Sequence, residues 1–172
     1  VPEYWDSAIP FFTPKDVPTA PYVLRTEKCI SELGLTKCAS RLFPRDTVFV
    51  TARGTVGNLA LAGIEMAMNQ SCYALAAKNG YGQLYLFHLT KSVVDQLRKT
   101  TGGATFDTIV VDTLERLQIV RPPLALAQRF ESAVRSLFDL LMTLLRQNLR
   151  LVSTRDLLLP KLISGELDVS DL

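Results

Sequence analysis

The chain has 172 residues and a mass of 19.1 kDa, the size of one domain or of one small domain with an appendage, and too short for two full enzymatic domains. Hydrophobic residues at 48% against 21% charged, with a mean hydropathy of +0.17, exclude a disordered chain. Nineteen Lys and Arg against seventeen Asp and Glu leave a net charge of +2, which excludes both a histone-like polycation and an acidic tail protein.

The first 24 residues carry a net −2 and are followed by short β-rich runs between turn residues, at 22–24, 47–52, 59–62, 72–76 and 84–89, bounded by Gly, Pro, Asn and Asp. Gly54-Thr55-Val56-Gly57 joins two of these runs and reads as a tight hairpin that needs positive φ at glycine. It is no dinucleotide-binding loop, because no helix follows it. Thr90 can cap a short helix whose Val93, Val94 and Leu97 share a face, the Gly102-Gly103 pair ends it, and a last strand is expected at 117–120. An α+β domain over residues 1–121 results, with a mixed sheet. Ten bases against five acids place a net +5 on residues 25–105, enough to face a polyanion, and residues 106–172 carry −1.

Pro122-Pro123 closes that domain, and no Pro or Gly recurs before Pro160. The interval 122–160 therefore reads as one helix of roughly 38 residues and about 57 Å. Phe130, Leu137, Leu144, Leu151 and Leu158 recur every seven residues, and Val134, Leu141 and Asn148 accompany them, drawing one apolar seam. Phe138, Leu145, Val152 and Leu159 widen it. Leaving that seam in water would forfeit well over about 10 kcal/mol, and one short domain is too small to cover a rod of this length. A second chain is expected to cover it, with Asn148 helping to set register. Residues 161–172 are expected to form a tail packing near the helix end.

Signals of catalysis are absent from the sequence. The one histidine, His88, lies in the apolar run 84–89 and is expected to sit on a strand, held by hydrogen bonds. Cys29, Cys38 and Cys72 form neither a disulfide framework nor zinc-ligand spacing, and suit a reducing, cytoplasmic setting. No apolar run approaches the roughly 18 to 20 residues of a membrane span, and the opening residues lack the pattern of a signal peptide. Asn69-Gln70-Ser71-Cys72-Tyr73 lacks the two prolines of the Asn-Pro-Pro-Tyr tetrad of amino-methyltransferases. The acids are too scattered for a metal-dependent nuclease centre.

Lys15, Arg41, Arg45, Arg53, Lys78, Arg98 and Lys99 lie beside turns in or near the basic section and are the candidates for phosphate neutralisation or guanine contact. Asn69 and Gln70 carry amides able to pair with an adenine edge. Two functional classes stay open on these grounds: a DNA-binding subunit, and a coiled-coil scaffold whose globular domain binds a protein or a small ligand.

The order Tyr4-Trp5-Asp6, Ile9-Pro10-Phe11-Phe12-Thr13-Pro14-Lys15-Asp16-Val17, Ile30-Ser31 with Gly34-Leu35, Leu42-Phe43-Pro44 and Thr51-Ala52-Arg53-Gly54-Thr55-Val56-Gly57 resembles the target-recognition domain of type I restriction-modification specificity subunits. Asn69-Gln70-Ser71-Cys72, Gly102-Gly103-Ala104-Thr105-Phe106, Ile119-Val120-Arg121-Pro122-Pro123 with Gln128, and the run from Arg155 to Leu167 extend the resemblance over nearly the whole chain. It implies a non-catalytic subunit that recognises half of a split double-stranded DNA target and docks modification (methyltransferase) and restriction subunits. S-adenosylmethionine, ATP and Mg would belong to those partners, so no cofactor is expected here. The family pattern has two recognition domains and two antiparallel helices, whereas this sequence holds one of each. It is then either a half-length subunit, pairing with itself or another half through an antiparallel helix pair, or a piece of a longer chain.

Overall fold

The computed structural model describes residues 1–100 and 119–167, apart from the side chains of residues 6, 7 and 100. In chain order the elements are β1 (Trp5–Phe12), β2 (Tyr22–Val23), β3 (Cys29–Ile30), α1 (Glu32–Lys37), β4 (Val48–Thr51), β5 (Leu59–Ala62), β6 (Ala67–Met68), β7 (Cys72–Leu75), α2 (Gln83–Thr100) and α3 (Leu124–Ile163). Short 3-10 turns stand at Pro2–Tyr4 and Pro14–Asp16. One sheet has the order β3-β1-β6 and the other β2-β5-β4-β7. Each mixes parallel and antiparallel pairs, so the expected α+β class with mixed sheets and a long C-terminal helix holds.

Strand β4 has all four residues buried rather than alternating, because β5 and β7 flank it and both of its faces are covered. Phe49 of β4 stacks on Phe12 with ring centroids 4.7 Å apart and meets Phe43 edge to face at 5.8 Å, and Val23, Met66 and Cys72 complete that core. The β4–β5 connection is the hairpin expected from its glycines: Gly54 and Gly57 have φ of 79° and 77°. Gly57 N donates to Thr51 O at 2.8 Å, and Asn58 N donates to Thr51 Oγ1 at 3.0 Å.

Two expectations are corrected. Residues 84–89 are helical and belong to α2, so His88 sits on a helix and not on a strand. The buried set Leu84, Phe87, Thr90, Val93 and Val94 follows the helical period, and the short apolar run alone could not distinguish the two. Helix α3 also passes the expected stop at Pro160 and continues to Ile163; proline removes only its own donor, and Ser164 N still bonds Pro160 O at 2.9 Å. Of the last expected strand, residues 117 and 118 and the Gly102-Gly103 break lie outside the described residues, and Ile119 and Val120 are irregular. The tail beyond residue 167 lies outside them too.

The His88 ring packs edge-on against Phe87 and Phe130, each with centroids 5.4 Å away. Burial, and then the charge of Lys91, holds its pKa below the ordinary value of 6.5, against an opposing pull from Glu131. The unfolded chain therefore binds a proton that the folded chain resists. Stability is fully present above pH 6.5 and is expected to decline as pH falls through that value, levelling off below the folded pKa. Melting temperature followed from pH 7.5 to 5 should fall more steeply for the unsubstituted chain than for His88→Gln.

The chain divides into two compact units, Val1–Arg135 and Ser136–Leu172, so the first turns of α3 belong to the globular body. Ala127 there is buried. In the second unit Leu137, Leu144, Leu151 and Leu158 keep 62%, 49%, 66% and 41% of their surface exposed, and Leu141 is half-buried. Among the described residues no helix is long and apolar enough to cross a membrane.

Candidate nucleic-acid interface

Antiparallel pairing gives the four-stranded sheet two functionally different ends. Thr51 faces Cys72 at one end of the β4–β7 ladder and Val48 faces Leu75 at the other, about 10 Å away at roughly 3.3 Å per residue. Arg53, Asn69, Gln70 and Ser71 adjoin the first end. The second end adjoins Asp46 and, through it, the root of α3.

At the first end a recess of about 380 Å³ is lined by Lys15, Arg53 and Asn69, together with Lys28, Glu27 and Ser71. Three cations face one acid, and all four side chains are exposed. Asp16 holds the walls in place: one carboxylate oxygen accepts Thr13 N at 2.8 Å and Thr13 Oγ1 at 2.7 Å, and the other accepts Glu27 N at 2.7 Å. Two loops 11 residues apart are thereby fixed together. Lys28 also lies 5.6 Å from the centre of the half-exposed Trp5 ring. Beneath the recess, burial and then the charge of Asp16 push the Cys72 thiol up to about 12, so it stays protonated at neutral pH and offers no nucleophile.

A second recess of about 230 Å³ shares Asn69 with the first and adds Gln70 and Arg41. Arg98, near the C-terminal end of α2, reaches the same end of the body through the hairpin, donating to Val56 O at 3.3 Å and Asn58 Oδ1 at 3.1 Å. Lys99 follows it, exposed. Seven of the nine sequence candidates thus lie on or beside this end of the sheet. Arg45 and Lys78 do not: Arg45 Nε is 3.7 Å from Asp46 Oδ1, and Lys78 borders a recess with Tyr81 and Arg121. Lys28, which the sequence reading passed over, is brought to the recess by β3 pairing with β1; its only signal was a base next to a short strand.

The opposite end is a polar junction. Asp46, at φ 69°, accepts Tyr22 OH at 2.7 Å and Arg135 Nη1 at 2.8 Å, while its carbonyl accepts Gln83 Nε2 at 2.9 Å. Burial, and then Asp46, raises the Tyr22 phenol pKa, so Tyr22 stays a donor. Arg135 also bonds Glu131, whose other oxygen accepts Tyr85 N at 2.8 Å in the first turn of α2. Burial works against the Arg135 charge, but the hydrogen bonds to Asp46 and Glu131 outweigh it, and its pKa is raised. Replacing Arg135 with alanine would strand two carboxylates whose side chains are 16% exposed. We expect a loss of about 2 kcal/mol, discounted for the 35% exposure of the arginine, and a melting temperature lower by about 4–8 °C in a thermal scan.

Among the described residues no group of His, Cys, Asp or Glu is placed to hold a metal ion. The arrangement offers cations, amides and a guanidinium on a rigid sheet end, a set suited to phosphates and base edges.

This chain belongs to the family of type I restriction modification DNA specificity domains, which matches residues 3–149. It is 31% identical over 152 residues to the specificity subunit of the type I restriction enzyme MjaIX of Methanocaldococcus jannaschii, covering 86% of this chain and 35% of that protein. It is 23% identical over 168 residues to the HindI specificity subunit of Haemophilus influenzae, covering 96% and 37%. The chain thus spans about a third of the length of the curated relatives it matches. The HsdS subunit from Thermoanaerobacter tengcongensis, solved by crystallography, shares the fold, with a TM-score of 0.58 at 16% identity over 97% of this chain and 41% of that one.

Proposed function

We propose that this chain is the part of a type I restriction-modification specificity subunit that reads one half of a bipartite double-stranded DNA target. Membership of the DNA specificity family over residues 3–149 carries the reading, and the gathering of Lys15, Lys28 and Arg53 at one sheet end supports it. DNA lies against that end, with cations on phosphates and amide and guanidinium groups on base edges. The chain catalyses nothing itself. It works in the cytoplasm, where modification and restriction subunits dock on it and bring their own S-adenosylmethionine, ATP and Mg.

Helix α3 serves as spacer. Its 40 residues make a rod of about 60 Å, on the order of 1.8 turns of B-DNA at about 34 Å per turn. An antiparallel pair of such helices holds two reading heads over separated major-groove sites, and two identical heads read inverted half-sites.

The test is a salt-titrated binding assay with random-sequence duplex. Log affinity should fall linearly with log salt concentration, and selection from a randomised duplex pool should then enrich one split motif. Binding indifferent to salt would overturn the DNA reading and favour the scaffold class.

A further inference from the structure

We infer that, within the DNA reading proposed above, Gln70 and Arg41 are the residues that discriminate bases, whereas Asn69 shapes the turn that presents them. The sequence offers Asn69 and Gln70 as equivalent amides, but the structure separates them. Asn69 Oδ1 accepts Ser71 N at 3.0 Å, its N–H donates to Phe12 O at 2.9 Å, and its carbonyl accepts Cys72 N at 3.3 Å. This half-buried amide is committed to its own turn. A bidentate adenine contact needs amide oxygen and nitrogen presented together to N6 and N7, and Asn69 already spends its oxygen on the backbone.

Gln70 is exposed, and among the described residues its amide makes no hydrogen bond. Arg41 is exposed as well, and its guanidinium lies 5.1 Å from the centre of the Phe43 ring. Phe43 is itself 7% exposed and locked edge-on against Phe49. A planar guanidinium resting on a fixed ring loses little freedom when it forks onto guanine O6 and N7.

A backbone tie keeps the two side chains neighbours: Met68 N donates to Ser40 Oγ at 3.1 Å, joining the segment before Arg41 to the turn before Gln70. Both then border one recess floored by Phe11, Phe43 and Met68. The flanking recess, with Lys15 and Lys28, presents compact ammonium charges suited to phosphates. Base reading and backbone neutralisation are thus assigned to adjoining hollows that share Asn69.

The experiment applies the full chain and its variants to a randomised duplex pool and compares the enriched motifs, with folding of each variant checked by its melting curve. For Gln70→Ala the preference at one base pair should drop roughly 5- to 150-fold, with the affinity for random duplex and its salt slope unchanged. Arg41→Lys, which keeps the charge, should lose preference at a different base pair while leaving the salt slope intact. Asn69→Ser, whose hydroxyl can still close the turn, should enrich the original motif. If the unsubstituted chain enriches a motif and the Gln70 and Arg41 variants enrich it equally well, or if Asn69→Ser alone relaxes it, the assignment is wrong while the DNA reading stands. If the unsubstituted chain enriches nothing, both fall together.

Discussion

A Leu144→Asp chain is expected to sediment at 19.1 kDa where the unsubstituted chain sediments at about twice that mass. Four leucines of the seam, Leu137, Leu144, Leu151 and Leu158, keep between 41% and 66% of their surface in water. Full burial of such a side chain is worth about 1.5–3 kcal/mol, so covering their exposed halves returns roughly 3–6 kcal/mol per chain and twice that per pair. Association costs about 4–15 kcal/mol in lost freedom, and the four leucines alone only just meet it. Leu140, Val152, Leu159 and Leu162, also exposed on α3, supply the surplus. An aspartate in the middle of the seam removes one leucine from each side and forces desolvation of two carboxylates in the pair, which exceeds any such surplus. Analytical ultracentrifugation at tens of micromolar decides it. A single 19.1 kDa species for the unsubstituted chain would sink the pairing.

The second large effect concerns the recess at the sheet end. Lys15→Ala, Lys28→Ala and Arg53→Ala combined should lower affinity for random duplex on the order of a hundredfold at about 0.15 M salt, because each phosphate contact contributes a slope of about −0.9 in log affinity against log salt. The slope itself should become shallower by roughly 2.7. Combined replacement of Arg45 and Lys78, which lie at the other end of the ladder, should leave both quantities close to those of the unsubstituted chain. Equal losses from the two sets of substitutions would show that the protein meets DNA without a defined face.

What could be read in advance was local. The β4–β5 hairpin announced itself through two glycines whose positive φ no other residue adopts as readily, and α3 through the long interval free of Pro and Gly. Helix α2 was half missed for a physical reason: its first turn has no capping side chain in the adjacent sequence. The group that accepts Tyr85 N is the carboxylate of Glu131, 46 residues downstream, and Gln83 turns its own amide to Ala77 N, Leu75 O and Asp46 O. Pro10 obscured β1, although its missing donor does not prevent pairing with Cys29. The candidate interface was legible as a set of residue types, since Lys15, Arg53 and Asn69 do converge. Its partition was not, because Arg45 looks like Arg53 until the ladder shows which end of a strand each adjoins.

Glu131 also bears on how reading heads can be exchanged between subunits. The same carboxylate that opens α2 grips Arg135, and a side chain at Gly82 would run into it. A chimera whose crossover falls at the proline pair, Pro122-Pro123, would take its recognition fold from one parent and the cap of that fold's main helix from the other. Crossovers placed after Arg135 carry the cap, the Asp46 anchor and the head as one heritable module, so those are the chimeras that should emerge folded with the donor's specificity intact.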